Sequence, residues 1–260
     1  MPCGNVTAYC PAGSESPTWA PLGTYTTAGA GVATNITDTM TQALDCPAGH
    51  YCMGGALLAC PAGTFLGLGR RYNASDCQTC TPGGYCTVGS SGPIPCGNDA
   101  LYCPAGTSQP AVAGPGYYTI GLGGARSGRL PCEPGLFCPG DGRSYPCPAG
   151  SFGNVSGLTN AACSGRCGDG VLCANQSTSA AGVPCPTGSY CVAGLQYPCP
   201  TGTFNPSRGA SNVTTQCLPC PADTYNPSLG SSASADCLAC PAHEGSGPGA
   251  SVCWPGVVGT

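Results

Sequence analysis

Apolar residues in this chain recur as single aromatics keyed to cysteines. Tyr9, Tyr51, Tyr85, Tyr102, Phe137 and Tyr190 each stand just before the closing Cys of a short loop, with Leu172 as the departure. Phe65, Phe152, Phe204 and Tyr225 follow the C-P-x-x-[ST] opening of longer loops. An aromatic there gives a small disulfide knot something apolar to bury. The competing reading is a sugar-binding aromatic ladder. Two segments, Pro11–Asp45 and Pro104–Pro131, hold no cysteine. Their runs TYTTAGAGVATNITDT and GYYTIGLGGARSG set Thr, Tyr, Val and Ile around glycines, which predicts short β-strands or hairpins. The same glycine and threonine content also suits a flexible linker.

The stretch Asp45 to Cys86 holds the pattern that the chain repeats. One unit is a short loop, C-P-x-G-x-aromatic-C, at Cys46–Cys52 and, as CTPGGYC, at Cys80–Cys86. The other is a long loop opening CPAGTF at Cys60 and closing at Cys77, three residues before Cys80. Pro after Cys suits the second position of a type I turn and Gly the fourth. PCGNVTAYCPAG at 2–13 returns as PCGNDALYCPAG at 95–106, and Tyr25-Thr26-Thr27 loosely matches Tyr118-Thr119-Ile120. The 24 cysteines then fall into three octets, giving repeats over 1–95, 96–184 and 185–260. The third lacks the opening segment and adds a tandem loop.

Spacing favours pairing each cysteine with its next neighbour. The expected short bridges are Cys3–Cys10, Cys46–Cys52, Cys80–Cys86, Cys96–Cys103, Cys132–Cys138, Cys167–Cys173 and Cys185–Cys191. The longer ones are Cys60–Cys77, Cys147–Cys163, Cys199–Cys217, Cys220–Cys237 and Cys240–Cys253.

Composition explains why cysteines dominate. Leu, Ile, Val and Phe number 35, about 13% of 260 residues, too few for an ordinary core. Gly and Pro together number 71, which suits turns and excludes long helices. The expected fold is therefore a set of small disulfide-rich repeats with short β-strands, irregular loops and almost no helix, in an elongated rod-like array. Charged residues are 7%, none is Lys, and the net charge is −4. So few charges leave a bare surface poorly soluble unless it is coated or assembled. Six sequons offer a coat: Asn5, Asn35, Asn73, Asn154, Asn175 and Asn212. Abundant Ser and Thr leave room for O-glycans too. Sequons and cysteines together predict an oxidising, extracellular compartment. No apolar run reaches the ~20 residues of a membrane span. Met1 runs straight into the first Cys motif, so the chain is expected to be a stretch of a longer precursor.

Catalytic and ligand chemistry is sparse. Cys217-x2-Cys220-x16-Cys237-x2-Cys240 has four-cysteine zinc spacing, but it sits inside a repeat whose other copies lack the second C-x2-C. A redox role for Cys77 and Cys80 lacks a surrounding βαβ pattern. His50 and His243 have no acid or nucleophile beside them and read as surface or turn residues. Asp45, Asp76 and Asp236 precede cysteines, as turn residues do. Asp141-Gly142 and Asp169-Gly170 offer only weak calcium ligands, and Arg70-Arg71 is too short for a nucleic-acid or heparin patch. The GLGG at Gly121–Gly124 precedes no helix pattern. The expectation is no enzyme, no cofactor, no metal and no nucleic-acid partner.

CPAGTF…CQTC from Cys60, CPAGSF…CSGRC from Cys147 and CPTGTF…CLPC from Cys199 resemble the cysteine-rich repeats of ephrin-receptor-like and tumour-necrosis-factor-receptor-like modules. The resemblance covers about two-thirds of the chain. Cys163-x3-Cys167 departs from it by one residue, and CPAD at Cys220 and CPAH at Cys240 lack the Gly. Such repeats occur in receptors, adhesins, protist surface coats and flagellar hair (mastigoneme) proteins. The Lys-free, sequon-rich style looks most like a protist or algal extracellular fibre protein. The expectation is a structural subunit of a glycosylated filament or coat, meeting copies of itself or related subunits through strand edges of the cysteine-free segments. The alternative is the ectodomain of a receptor or adhesin that binds a protein or glycan.

Overall fold

The computed structural model describes residues 6–28, 40–121 and 125–255. Over these, 28 short strands pair in chain order into fourteen two-stranded sheets. Among the described residues, helix is confined to Ala74–Asp76, Val213–Gln216 and Ser234–Asp236. The protein is thus a set of small disulfide-rich hairpins with almost no helix. The chain forms two compact units. One gathers the described residues up to Gly114 with Tyr118–Leu130, and the other gathers Pro115–Tyr117 with those from Pro131 onward.

One hairpin shows how the local sequence acts. In Cys60-Pro61-Ala62-Gly63-Thr64, the Thr64 amide donates to the Pro61 carbonyl at 3.1 Å, and the Thr64 hydroxyl donates to the same oxygen at 2.7 Å. Pro61 is therefore the first turn residue and Gly63 the third, at φ +84°. A positive φ at the third position marks a type II turn, so the expected type I turn is corrected. The two turns without Gly keep this conformation, with Asp223 at φ +62° and His243 at +72°. After the turn, Thr64 and Phe65 pair with Thr79 and Gln78, and the Cys80 amide donates to the Gly63 carbonyl at 2.9 Å.

Within each unit, successive hairpins are tied together by recurring backbone bonds. In the first unit the Gly63 amide donates to the Cys86 carbonyl at 2.8 Å, and Gly89 donates back to Cys60 at 3.0 Å. In the second unit Gly170 donates to Cys191 at 2.9 Å, and Gly209 donates to Cys185 at 2.8 Å. Gly170 is needed twice over: its φ is +78°, and a Cβ there would lie 2.7 Å from the Gly209 carbonyl oxygen.

The core is sulfur. The eleven disulfides located in full join neighbours, from Cys46–Cys52 to Cys240–Cys253, and no described cysteine is free. Their Cα atoms stand 5.6 to 6.5 Å apart. The Cys3–Cys10 pairing reaches outside the described residues. Short and long loops are the same hairpin with a different bridge. The sixth residue after the opening Cys is the bridging Cys52, Cys86, Cys138, Cys173 or Cys191 in short loops. In long loops the same place holds Leu66, Gly153, Asn205, Asn226 or Ser246. The backbone confirms the equivalence: Gly49 donates to Leu66 at 2.7 Å as Gly63 does to Cys86. The sixth residue faces the residue three before the next opening Cys, as in the pairs Cys52↔Leu57 and Cys191↔Gln196. Cys77, Cys217 and Cys237 occupy that facing place. One buried opening sulfur is therefore held from either side.

The cysteine-free segments fold as hairpins. Thr24–Thr27 pairs with Gln42–Asp45, and Tyr117–Ile120 pairs with Gly128–Pro131. Buried Thr26 donates its hydroxyl to the Val6 carbonyl at 2.8 Å, and Thr119 donates to Asp99 at 2.6 Å, one duplicated contact. Both edges of Thr24–Thr27 are engaged, because Thr26 also donates its amide to Gly55 at 3.0 Å. Residues 29–39 of the first segment and 122–124 of the second lie outside the described residues.

Candidate glycosylation sites and exposed surface

Loop geometry places four sequon asparagines at the surface: Asn73, Asn154, Asn175 and Asn212 are all exposed. Asn5 and Asn35 lie outside the described residues. Asn73 caps the helical turn Ala74–Asp76, with its Oδ1 accepting from the Ser75 amide at 3.2 Å. Asn212 caps Val213–Gln216 and accepts from the Thr214 amide and hydroxyl at 2.8 and 2.7 Å. These turns deliver the chain into Cys77 and Cys217, so both sequons sit on the disulfide approach. The Asn175 Oδ1 accepts from the Ala149 amide at 2.8 Å, which pins the loop after Cys173 onto the Cys147 turn. The Asn154 backbone amide donates to the Ser164 hydroxyl at 3.1 Å. For Asn73, Asn175 and Asn212 the oxygen is the fixed end, and the amide nitrogen is the end that would carry sugar.

Asn205 and Asn226 contrast with these. Each heads N-P-S, where Pro blocks the sequon, and each is 1% exposed. The Asn205 Nδ2 donates to the Ser189 carbonyl at 2.9 Å, and Asn226 donates to Thr203 at 3.1 Å. Their oxygens accept from the Ser207 and Ser228 amides at 2.9 and 3.0 Å. Both satisfy the buried space beside an opening Cys that has no partner at the sixth place. The signal for them was the repeated T-[FY]-N-P-S after CPTG and CPAD.

Most of the candidate ligand groups are spent internally. All four cysteines of the zinc-like spacing lie in three separate bridges, Cys199–Cys217, Cys220–Cys237 and Cys240–Cys253. Cys77 and Cys80 are bridged to Cys60 and Cys86. Asp141 accepts from the Arg143 amide at 2.9 Å and the Tyr145 hydroxyl at 2.6 Å. The Tyr145 bond holds its carboxyl below the ordinary value, and the Asp141 carboxylate pushes the Tyr145 phenol above its own. Asp169 accepts from the Ala193 amide at 2.8 Å. Asp45 pairs with Arg70 at 3.2 Å in the open, an ion pair worth little. Asp76 and Asp236 each accept a backbone amide at a helical turn. His50 lies 3.3 Å from the Ala48 carbonyl, and His243 is an exposed turn residue. Of Gly121–Gly124, only Gly121 is described. The more buried ion pair joins Asp99 to Arg126, whose guanidinium also donates to Thr119 at 3.3 Å. Nearby, Arg129 stands 5.7 Å over the Tyr102 ring and donates to Ala113.

The loop aromatics are half-buried and lie across their hairpins. Phe137 stacks on Tyr145 and Tyr190 on Tyr197, both with centroids 5.6 Å apart. Opposite each aromatic, two residues before the next opening position, stands a second apolar side chain in most hairpins. Tyr85 faces Ile94, Phe204 faces Leu218 and Tyr225 faces Leu238. Ile94, Leu218 and Leu238 are exposed, whereas Tyr145 and Leu58 in the same place are half-buried, and the position before x-Cys was the sequence signal for them. No protein-family model matches the chain, and no curated protein matches it significantly. The bridges place the folded chain in an oxidising environment. No helix among the described residues is long and apolar enough to cross a membrane.

Proposed function

We propose that this chain is a structural subunit of an extracellular, N-glycosylated filament or coat. The observation that carries the reading is the recurring backbone register that bonds successive hairpins within a unit, as in Gly188 to Asn205 and Gly202 to Asn226 at 2.8 and 2.7 Å. Such a scaffold extends by repetition, and most hairpins bring their own staple. The described cysteines are all bridged, and Asp76, Asp141, Asp169 and Asp236 are bonded into turns, which favours a mechanical role over a catalytic one. Glycans on the exposed loops supply the solubility that 7% charged residues do not. Negative-stain electron microscopy of the native secreted material tests this. Filaments or sheets with an axial repeat are expected. Monodisperse single particles at every concentration would overturn it and favour a receptor or adhesin.

A further inference from the structure

Building on the assembly reading above, we infer that copies of this chain meet side by side through an apolar stripe on the last five hairpins. Val183, Tyr197, Leu218, Leu238 and Trp254 hold the same place in five consecutive hairpins, facing Leu172, Tyr190, Phe204, Tyr225 and Gly245. They are 60, 42, 42, 47 and 62% exposed. Each hairpin passes to the next by the same amide bond, from Gly170, Gly188, Gly202 and Asp223 in turn. The five side chains therefore repeat with the period of the hairpin itself.

Three observations choose a second copy as occupant. First, Glu244 is the only charged residue in any strand from Val171 to Pro255, so two identical stripes meet without repulsion or costly desolvation. Second, Pro184, Pro198, Pro219 and Pro255 follow four of the five residues. They remove the amides that strand addition needs, so contact runs through side chains rather than the edge pairing expected of the cysteine-free segments. Third, at about 150–250 Å² for a full large side chain, these exposures amount to roughly 500 Å². That lies within the ~300–600 Å² of the largest apolar patch on a typical monomer, a size that is often functional, and below the ~800 Å² per partner of a stable dimer. A single stripe gives weak pairing, and a periodic one gains when copies engage along several hairpins at once. None of the described sequon asparagines is itself in one of these strands.

The test uses the secreted, glycosylated chain in sedimentation equilibrium, with Leu218→Glu/Leu238→Glu as the first variant and Val183→Glu as the second. Exposed positions tolerate Glu, and a disulfide peptide map identical to the parent's reports correct bridging. Val183→Glu stands in a different hairpin and keeps the test open if the double variant misfolds. The expected result is concentration-dependent association of the parent, weakened at least tenfold in the variants. In a Trp19→Phe background, Trp254 emission shifts to the blue as the parent associates and stays fixed in the double variant. Association that is unchanged in both variants overturns the stripe and leaves the filament reading intact. A parent that stays monomeric while native material forms filaments also overturns the stripe alone. Monomers in both preparations overturn the two together.

Discussion

Asp141 and Tyr145 hold each other in opposite protonation states, and this sets a pH window for one turn. The Tyr145 hydroxyl donates to Asp141, so the carboxyl pKa is lowered from its ordinary 3.8 and the phenol pKa is raised from its ordinary 10.0. A lowered acid contributes stability above its unfolded value and loses it as pH falls through the folded value. A raised phenol contributes below its unfolded value and loses it as pH rises through the folded value. The bond is therefore intact across neutral pH and is lost at both extremes. In Asp141→Asn, the Tyr145 phenolate absorbance should appear at lower pH than in the parent. An unchanged titration would mean the bond does not persist in solution. Glycine position makes a second residue-scale prediction. Gly170→Ala meets both a positive φ and the Gly209 carbonyl. It should cost about 2–4 kcal/mol in thermal unfolding, the sum of a left-handed penalty and overpacking. Asp223→Gly relieves the same backbone conformation and should be neutral or stabilising by up to about 1 kcal/mol.

At the scale of the hairpin, the two loop types differ only in which residue meets the opening sulfur. Leu66→Cys combined with Cys77→Ser turns CPAGTFL into CPAGTFC, the pattern of the short loops. Leu66 is 4% exposed and already carries the backbone bonds of a sixth-place cysteine. Peptide mapping should find Cys60 bridged to the thiol introduced by Leu66→Cys, with no free thiol left, and a free Cys60 would break the equivalence. Much of this element was legible in the sequence. The C-P-x-G opening, the aromatic before the closing Cys and the Thr-rich segments all signal short turns and strands, and these are the strands that form. The turn type was misread because Pro after Cys has two good places in a turn, and only the sign of φ at Gly63 chooses between them. The loops look like two units in sequence because the sixth place is Cys in one and Leu, Gly, Asn or Ser in the other. Their common register lies in backbone bonds that have no side-chain signature. Asn205 and Asn226 were hidden for a related reason: an Asn before Pro reads as a turn residue, and burial is a property of the neighbouring hairpin. Asn205→Ala leaves the Ser189 carbonyl without its donor and should cost about 1–3 kcal/mol in thermal unfolding, while tryptic glycopeptide mapping should find sugar on Asn73, Asn154, Asn175 and Asn212 and none on Asn205 or Asn226.

For the whole molecule, solubility and association pull against each other. Sulfur replaces the apolar core, so the few large apolar side chains are not all needed inside, and Trp19, Leu22, Val183 and Trp254 stand at 60% exposure or more. With a net charge of −4 over 260 residues, charge repulsion between copies is weak. On the proposed reading, sugar on the exposed sequon loops is then the main barrier to indiscriminate contact. Removing N-glycans enzymatically from the folded, disulfide-intact protein should raise light scattering at fixed concentration without changing the far-ultraviolet spectrum. Added reductant should instead collapse the spectrum itself, because the bridged hairpins lose the disulfide that stands in for their core. If deglycosylation leaves scattering unchanged, the surface is soluble by itself and the glycans serve another purpose. If it lowers scattering, the sugars take part in the contact, and assembly runs through the loops rather than the strands.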